Sequence, residues 1–589
     1  MSANHPNAIN YPPTQGMSES APFKTISWAV SQAGAGDTIW VKTGNYDSAN
    51  DAEAVADGGP NGFNDHLGIN IDKKLTLIGY HTTPGDLDQG EGVPSNNQEF
   101  DDICQGYPPG NIKLQPTIIG TDRNILPVIV NSVVTVPRRV GVKVTGVTTS
   151  YVDVRNFTIR QFSYGAESRD ANHTSFQNTL TCETGKIDDT SSRTCWGRGI
   201  TFNNSPDGSI YNCRVRNCAG IGIDVVVNSD RTTVQNTDVY CDDNQTGAQS
   251  ATDYYFHILH CEDCVMDYCQ ALKLPDTSVS PSKLPEASGH GFIIAGWIGD
   301  LAGVPCADNE VKNCYVQDCS ECFLFLGEEV ESNCVTDCHS LRTVPDDSTI
   351  HGAIYFANGA KDNYVLRTKL ENARSAITFD VWRGRDGNPT FAASGNTIEN
   401  CVFDQCENAI GFHAFNQYVD DKGTSDPSDD ELIGDPNIPA VDNVLRNCTI
   451  ICRETSATYG GSTDRRALVY CNRANSGTEI ENCIVDGFPT DETSLLGVGS
   501  TNSSFPYFAA NLSMYFNCFY DNTGISYPAQ NVTATADPLI DHLTFELDPN
   551  SPGGIGCVNA GTAVTETMDF DKSSRVLGGY VDIGAQESQ

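Results

Sequence analysis

The chain is poor in basic residues. Its 36 Lys and Arg stand against 76 Asp and Glu, which gives a formal net charge of −40 over 589 residues. A field of this sign repels nucleic acid and anionic membrane surfaces, and we therefore predict no nucleic-acid partner. An acidic polysaccharide is repelled as well, unless a bound cation or a local basic patch offsets the field.

Long apolar runs and long helical patterns are also scarce. The longest apolar run, LPVIVNSVVTV from Leu126 to Val136, falls well short of the roughly 20 residues that cross a bilayer, so no membrane insertion is expected. The chain has only 5 Met and is rich in Gly, Asn, Asp, Thr and Val, which favours short strands joined by turns. Its first residues, MSANHPNAINYPPTQG, are polar and contain no secretory leader. Either a leader was removed, or the protein leaves its cell by another route, as virion proteins do.

Cysteine is abundant, and much of it recurs in one motif. The chain has 23 Cys, an odd number, and variants of ENCVFDQC (399–406) end at Cys218, Cys269, Cys319, Cys338 and Cys452. A metal cluster, a disulfide scaffold and a stacked structural repeat are the alternatives. Two C-x-x-C pairs, at 261–264 and 319–322, have zinc-like spacing, but they lie far apart inside runs that have strand character, which argues against zinc.

A second repeated element follows the cysteine motif, and its second and fourth residues are large and apolar. This alternation predicts strands with one buried face. Successive copies are at least 23 residues apart, which suggests one turn of a coil with loops inserted into most turns. The copies are GITF from Gly199, GIDV from Gly222, YFHI from Tyr255, GFII from Gly291, CFLF from Cys322, AIYF from Ala353, AITF from Ala376, AIGF from Ala409 and ALVY from Ala467.

This pattern resembles the right-handed parallel β-helix of the pectate-lyase-like superfamily, including secreted bacterial β-helix repeat proteins. In such a coil the Asn of each Asn-Cys pair is expected at a turn and the Cys in an interior ladder. The segment 22–46 looks like the family's N-terminal capping helix (about 22–36) and first strand (38–42), and 75–80 like the next strand. The segment 537–589 resembles the closing segment. We therefore predict an all-β, right-handed parallel β-helix from residue 22 to residue 589, after an N-terminal extension of residues 1–21.

Five long loops are predicted to leave the coil. They are expected at 47–63, 80–115, 166–198, 272–288 and 416–439. The last of them is rich in carboxylates, and oxygen-rich loops suit Ca²⁺. We predict a possible calcium site there, with a solvated acidic loop as the alternative, and no organic cofactor. The candidate ligands are Asp420, Asp421, Asp426, Asp429 and Asp430.

The third residue of each repeated strand, and every second residue after it, is predicted to face outward. This places Asp380 and His413 in one column on neighbouring turns, with Tyr355 one turn earlier. Arg383 and Arg385 follow nearby, and these five residues are the catalytic candidates. A purely structural polar pair of Asp380 with His413 is the alternative. Aromatic and polar residues of the same wall are predicted to bind substrate: Trp382, Trp297, Glu328, Phe415, Asp386, His290 and His257.

His290 is part of a second possible motif. It lies in Gly289-His290-Gly291, after Asn236-Thr237-Asp238 and Asp242-Asp243, which is similar to polygalacturonase-like hydrolases of the superfamily. The spacing differs from that family, because Asp238 and Asp242 lie within one turn and no Arg-Ile-Lys segment follows.

The resemblance implies work on a polysaccharide outside the cell, since the fold hosts lyases, hydrolases, epimerases and inert adhesins. A lyase needs a base and a group that neutralises a uronate carboxylate; His413 or Tyr355 and Arg383 or Arg385 fit those roles. A hydrolase needs two carboxylates, for which Asp380 with Asp386 or Glu328 is available. The alternative is a non-catalytic glycan-binding surface protein or a virion tail-spike-like protein. The oligomeric state is left open between a monomer and, for a virion protein, a trimer.

Overall fold

The protein was analysed as a computed structural model. It describes the following residues: 16, 18–46, 68–105, 112–120, 128–130, 133–136, 140–146, 150–185, 197–242, 252–274, 289–296, 303–343, 352–380, 392–406, 408–413, 418–420, 431–433, 439–451, 467–471, 475–487, 512–515, 517–520, 532–533, 539–541, 546–547, 576–577 and 580–581. The chain divides into two compact units, Met1–Gly289 and His290–Gln589.

Each unit is built from three parallel sheets that the chain visits in rotation. After Ser209–Tyr211 in the first sheet, the chain forms Arg214–Arg216 in the second and Gly220–Val226 in the third, then returns to the first with Thr233–Gln235. Each of these strands pairs in parallel with the equivalent strand of a neighbouring turn. This arrangement confirms the predicted right-handed parallel β-helix. We call the three faces sheet 1, sheet 2 and sheet 3, and one circuit a rung.

The strands of the first unit are as follows. Sheet 1 contains Thr38–Lys42, Thr76–Tyr80, Ser150–Arg155, Asn172–Gln177, Ser209–Tyr211, Thr233–Gln235 and Val265–Asp267. Sheet 2 contains Asn45–Tyr46, Thr117–Ile119, Thr158–Arg160, Leu180–Cys182, Arg214–Arg216, Asp238–Cys241 and Gln270–Lys273. Sheet 3 contains Ile69–Ile71, Val140–Thr145, Tyr164–Arg169, Gly197–Asn203, Gly220–Val226 and Tyr254–Leu259.

The second unit repeats the plan. Its sheet 1 contains Glu310–Lys312, Cys334–Thr336, Tyr364–Leu366, Thr397–Glu399, Val444–Arg446, Thr478–Glu481 and Leu512–Tyr515. Sheet 2 contains Tyr315–Gln317, His339–Leu341, Lys369–Glu371, Val402–Asp404, Thr449–Ile451, Ile484–Asp486, Cys518–Tyr520 and Val532–Thr533. Sheet 3 contains His290–Ala295, Phe323–Leu326, Gly352–Ala357, Ser375–Asp380, Asn408–His413 and Ala467–Cys471.

Smaller elements complete the described structure. The described residues include two helices, Ile26–Gln32 and Asn97–Gln105. Two-stranded parallel pairs join Cys306–Ala307 with Val330–Glu331 and Ala440–Val441 with Asn475–Ser476. Antiparallel pairs join Val128–Val130 with Val133–Val136, Tyr418–Asp420 with Glu431–Ile433, Leu539–Asp541 with Glu546–Leu547, and Val576–Leu577 with Tyr580–Val581.

The interior is filled by the apolar positions of the repeated strands. In the second unit Phe325, Phe356, Phe379 and Phe412 stack in one column, with successive ring centroids 4.9, 5.3 and 5.5 Å apart. All four are almost fully buried. The spacing follows from the rise of about 4.8 Å between neighbouring strands of a sheet. The prediction that the second and fourth residues face inward is confirmed for the copies from Gly199 to Ala409. It is wrong by one residue for ALVY, where Val469 and Cys471 are the register partners of the inward Ile410 and Phe412.

The cysteine motif forms a turn and an interior ladder, as predicted. Asn212, directly before the buried Cys213, has φ 51°, a left-handed conformation that asparagine tolerates well. Its side-chain amide donates to Asn178 Oδ1 at 2.7 Å, so the amides link neighbouring rungs. The backbone N–H of Cys448 donates to Cys483 Sγ at 3.5 Å on the next rung. The cysteines therefore replace small hydrophobic side chains in the stack.

A second ladder, of buried asparagines, runs through the second unit. Asn309, Asn333, Asn363, Asn396 and Asn443 are at most 1% exposed. Each Oδ1 from Asn333 onward accepts hydrogen bonds from both the backbone N–H and the side-chain amide of the preceding member, at 2.9–3.1 Å. The buried backbone N–H groups of the first four asparagines therefore find their acceptor in the asparagine side chain of the next rung, along the axis of the coil.

The N-terminal predictions hold in part. Helix Ile26–Gln32 and strands Thr38–Lys42 and Thr76–Tyr80 lie where the resemblance placed them. The expected loop at 166–198 is wrong over its first half, because strands Asn172–Gln177 and Leu180–Cys182 form part of a rung there. Their alternation is interrupted by polar inward residues such as Thr174 and Thr181, which are buried and hide the period-two pattern. Helix Asn97–Gln105, in the predicted loop 80–115, is fixed to sheet 2 by the disulfide Cys104–Cys182.

Candidate active site on sheet 3

A column of polar residues follows the outer side of sheet 3 in the first unit. Lys143, Glu167, Thr201, Asp224 and His257 are direct partners on five successive strands. Their neighbours along each strand face inward and are apolar except for the buried Ser168, so the alternation of the strand turns these five side chains outward. Glu167, Thr201, Asp224 and His257 are nonetheless buried, at 0–4% exposure. Titratable groups are thus collected on one face and withdrawn from bulk water.

Asp224 and His257 form a hydrogen-bonded pair at the end of this column. Asp224 Oδ1 lies 2.9 Å from His257 Nδ1, and the carboxylate is fully buried. With Nδ1 as the donor, the carboxylate fixes the ring orientation and leaves Nε2 as the basic nitrogen. The ring of Tyr254 lies beside the imidazole, with centroids 5.3 Å apart. The pairing with Asp224 supplies the orientation that a general base requires, while Nε2 itself is buried in this structure.

Arg198 completes the cluster. Its guanidinium contacts Asp224 Oδ2, so the carboxylate is held by the histidine on one oxygen and by the arginine on the other. Arg198 Nε donates to the Tyr164 hydroxyl at 2.9 Å, and the guanidinium lies 5.7 Å from the centre of that ring. The Arg198 side chain is 26% exposed, so it is the part of the cluster that meets solvent. We name Arg198, Asp224 and His257 the Asp-His-Arg cluster.

Burying such a cluster is costly unless every charge has a partner, because desolvation of each ion costs several kcal/mol. Here the partners come from three successive strands. Arg198 and Asp224 are 26 positions apart in the sequence, and Asp224 and His257 are 33 positions apart. Glu167 is paired on the same wall with Arg169, which donates from Nε at 2.9 Å. Both carboxylates of this wall, Glu167 and Asp224, are therefore paired with an arginine.

Sequence reasoning found only part of this cluster. It proposed His257 as a substrate-binding residue and missed Asp224 and Arg198. The signal was present, since Asp224 and His257 occupy the third position of consecutive repeats. Arg198 lies one residue before the copy of the repeat that begins at Gly199. Position 199 itself has no room for a side chain, because an added Cβ would lie 2.4 Å from the carbonyl oxygen of Gly222.

The predicted site in the second unit is described in part. Asp380 pairs with His413 in the strand register, as the alignment of repeats predicted. The Tyr355 hydroxyl is hydrogen-bonded to the Asp380 carboxylate, and the two residues are 5% and 1% exposed. The His413 side chain lies outside the described atoms, and Trp382, Arg383, Arg385 and Asp386 lie outside the described residues. Their catalytic and binding roles stay predictions.

His290 contacts a carboxylate that sequence reasoning did not consider. Its Nδ1 contacts Glu321, which is 2% exposed. Asp238 and Asp242, the other members of the hydrolase-like motif, belong to sheet 2 and its following turn, where they pair with Arg214 and Arg216. The motif residues are therefore engaged in ion pairs of their own.

The remaining candidates lie elsewhere or outside the described residues. Glu328 follows a sheet 3 strand, and its pKa is raised, first by burial and then by the neighbouring Glu329. Trp297, Phe415, Asp421, Asp426, Asp429 and Asp430 fall outside the described residues, and only the backbone of Asp420 is described. Among the residues that the structure describes, no three His, Cys, Asp or Glu side chains are grouped as metal ligands. The calcium site stays a prediction.

Sheet 2 of the second unit carries a further ion-pair cluster that was not predicted. Glu371 contacts His339 and accepts from Lys369 Nζ at 2.8 Å. The hydrogen bond from His339, together with Lys369, lowers the pKa of Glu371 to about 2. A carboxylate held ionised to this extent is a poor proton donor at neutral pH. We assign this cluster a structural role.

Comparison with known proteins gives likenesses of fold at low sequence identity. No protein-family model and no curated protein matches the chain. The A-module of a mannuronan C-5 epimerase from Azotobacter vinelandii is 11% identical, with a TM-score of 0.38 over 91% of this chain and 100% of that one. An alginate lyase is 10% identical, with a TM-score of 0.40 over 86% and 93%. Tailspike protein 3 of bacteriophage CBA120 is 8% identical, with a TM-score of 0.32 over 81% and 59%. No functional assignment follows from these likenesses.

Within the described residues, no helix is long and apolar enough to span a membrane.

Proposed function

We propose that this protein acts on a polysaccharide outside the cell or on a virion and cleaves it by β-elimination next to a uronate carboxylate. The observation that carries the proposal is the hydrogen bond between Asp224 and His257, formed beside Arg198. It brings together the two groups that the reaction requires, an oriented base and a cation for the substrate carboxylate.

The reaction assigns one role to each member of the cluster. His257 Nε2 accepts the proton on C5 of the uronate, and the electron pair of that bond forms the C4–C5 double bond as the bond from C4 to the glycosidic oxygen breaks. The departing oxygen takes a proton from water. Arg198, whose guanidinium is partly exposed, neutralises the uronate carboxylate. Asp224 is the positioning residue, since it orients the imidazole and stabilises its protonated form.

Hydrolysis is supported less well by the same wall. A glycosidase needs two carboxyl groups that flank the scissile bond, one of them protonated or nucleophilic. Asp224 is fully buried and has both oxygens engaged, and Glu167 is paired with Arg169. Both carboxylates are paired with an arginine, an arrangement that suits neither the protonated acid nor the free nucleophile of a glycosidase.

The location outside the cell has a separate argument. The disulfide Cys104–Cys182 joins a helix to sheet 2 across 78 residues of sequence. Disulfides of this structural kind persist in oxidising compartments and are rare in the cytosol. The strongly negative net charge does not prevent binding of an acidic glycan at contact distance, because salt screens charges beyond about 8 to 10 Å.

The decisive experiment is a panel of uronic, sulfated and neutral glycans assayed for unsaturated uronate by absorbance and for new reducing ends. The parent protein is expected to produce both signals on a uronic glycan. His257→Gln should lower kcat by about 10² to 10⁴, the usual contribution of a general base. Asp224→Asn should lower kcat and alter the pH profile, and Arg198→Gln should raise KM for the uronic glycan.

His339→Gln is the matched control, since His339 is also paired with a carboxylate but lies on sheet 2. It should leave turnover unchanged. Reducing ends without unsaturated uronate would replace elimination by hydrolysis, and binding without any product would favour the non-catalytic surface protein. If His257→Gln keeps full activity while Tyr355→Phe or His413→Ala loses it, the active site is the Tyr355–Asp380 wall of the second unit.

A further inference from the structure

The outer wall of sheet 1 in the first unit has a composition different from that of sheet 3. One column consists of the small hydroxyl residues Ser175, Ser209 and Thr233, which are direct partners on three successive strands. The parallel column, two residues further along each strand, contains Gln177, Tyr211 and Gln235. An aromatic ring is thus flanked on both sides by amides, beside a shallow row of hydroxyl groups.

These side chains face solvent with their hydrogen-bonding groups available. Tyr211 is 38% exposed, Thr233 is exposed, and Gln177 and Gln235 are half-buried. Within the described part of the chain, no side-chain hydrogen bond is formed by Gln177, Tyr211 or Gln235. On sheet 3 of the same unit, by contrast, the outward residues from Glu167 to His257 are buried. Sheet 1 therefore presents an open polar wall.

A second exposed tyrosine lies at the edge of this wall. Tyr268 occupies the turn after strand Val265–Asp267, is 58% exposed and has φ 52°. The equivalent turn residues of the preceding rungs are Asn178, Asn212 and Asn236, which suit this left-handed conformation. A bulky side chain at such a position is disfavoured, and its exposure shows that it gains little from packing. Tyr268 lies two rungs beyond Tyr211, about 10 Å along the axis at a rise of about 4.8 Å per rung.

We infer that this wall, Gln177, Tyr211, Gln235 and Tyr268 with the hydroxyl column, binds an extended neutral glycan that lies along the axis of the coil. Tyrosine faces pack against sugar rings, and amide side chains both donate to and accept from sugar hydroxyls. The distance between the two tyrosines is close to the length of a disaccharide.

The chemistry of the wall favours a neutral glycan over other occupants. Its four named residues carry no charge, and the nearest cation in the same column, Arg155, is paired with Asp153 at 2.9 Å. A nucleic acid or a strongly acidic glycan finds no unpaired cation in this column and meets the negative field of the whole chain. Large apolar patches mark many protein interfaces, whereas Tyr211 is flanked in its column by Gln177 and Gln235. The inference does not depend on β-elimination at sheet 3.

The test is native affinity electrophoresis in gels containing laminarin, galactomannan, xyloglucan or alginate. The variants are Tyr211→Ser and Tyr268→Asn, alone and combined. Asparagine occupies the position equivalent to 268 in the three preceding rungs, so Tyr268→Asn should leave the turn intact. Thermal melting verifies the fold of each variant. The parent should be retarded by at least one of the three neutral glycans, and the double variant should lose at least tenfold in affinity.

Two controls separate this wall from other sites. Tyr364→Ala removes an equally exposed sheet 1 tyrosine, 45% exposed, whose register partners are Cys334 and Thr397, and it should keep the retardation. His257→Gln should keep it as well while losing turnover. The inference is overturned if no neutral glycan retards the parent, if only alginate does, or if the double variant binds like the parent.

Discussion

Replacing Asn363 by alanine should weaken the second unit far more than a typical asparagine substitution. Asn363 lies in the middle of the asparagine ladder and is completely buried. Its side chain accepts from the backbone N–H and from the side-chain amide of Asn333, at 3.0 Å in both cases. It also donates to Asn396 Oδ1 and to the Val330 carbonyl, each at 3.1 Å. The variant loses all four hydrogen bonds without changing the backbone conformation that the position requires.

The expected magnitude follows from what each partner retains. The Val330 carbonyl still accepts from Lys361 N–H, and Asn396 Oδ1 still accepts from the backbone N–H of residue 363. The Asn333 amide keeps the Cys306 carbonyl, so only the Asn333 backbone N–H is left buried without an acceptor. Lost bonds with satisfied partners cost about 0.5 to 1.5 kcal/mol each, and an orphaned buried donor about 1 to 3 kcal/mol. The free energy of unfolding should fall by about 2.5 to 7.5 kcal/mol.

Guanidinium unfolding followed by far-ultraviolet circular dichroism measures this change. Asn172→Ala is the matched control, since Asn172 is an exposed strand residue, and it should stay within about 0.5 kcal/mol of the parent. Asn363→Thr, which retains one donor and one acceptor, should be intermediate. A loss below about 1 kcal/mol for Asn363→Ala would refute the view that the ladder stabilises the coil.

Three further expectations concern thiols, protons and calcium. Of the described free cysteines, all but the half-buried Cys334 are buried. A thiol reagent should therefore label few of them in the native protein and many after denaturation without reductant. A titration of the denatured protein that finds nearly all cysteines paired would contradict the cysteine ladder. Because the folded pKa of Glu371, about 2, lies below its ordinary value of 4.5, its pairing with His339 and Lys369 stabilises the protein above about pH 4.5, and this contribution is lost as the pH falls toward 2. The melting temperature of Glu371→Gln should therefore lie below that of the parent at pH 7 and converge with it near pH 2; a constant difference would contradict the assignment. Excess Ca²⁺ should raise the melting temperature through the acidic loop at 420–435, and equal melting with Ca²⁺ and with a chelator would argue against the site.

Local sequence determined the architecture because its rules act over a few residues. The alternation in AIYF and AITF sets which side chains point inward, and Phe356 and Phe379 stack as that alternation requires. The Asn-Cys pairs mark turns because Asn212 tolerates positive φ and Cys213 is small enough for the interior. Each of these preferences is a property of one strand or one turn, so the sequence by itself was sufficient.

Tertiary structure decided which polar side chains meet and how far they are buried. Asp224 and His257 are 33 residues apart, and the loops between rungs vary in length, so their contact depends on a register that no local pattern fixes. The outward direction of Asp380 was predictable, but its 1% exposure was not, because strand alternation sets the direction of a side chain and not what packs over it. Charge pairing across strands, as at Arg198, likewise follows from packing between rungs, whereas the strands themselves follow from the sequence.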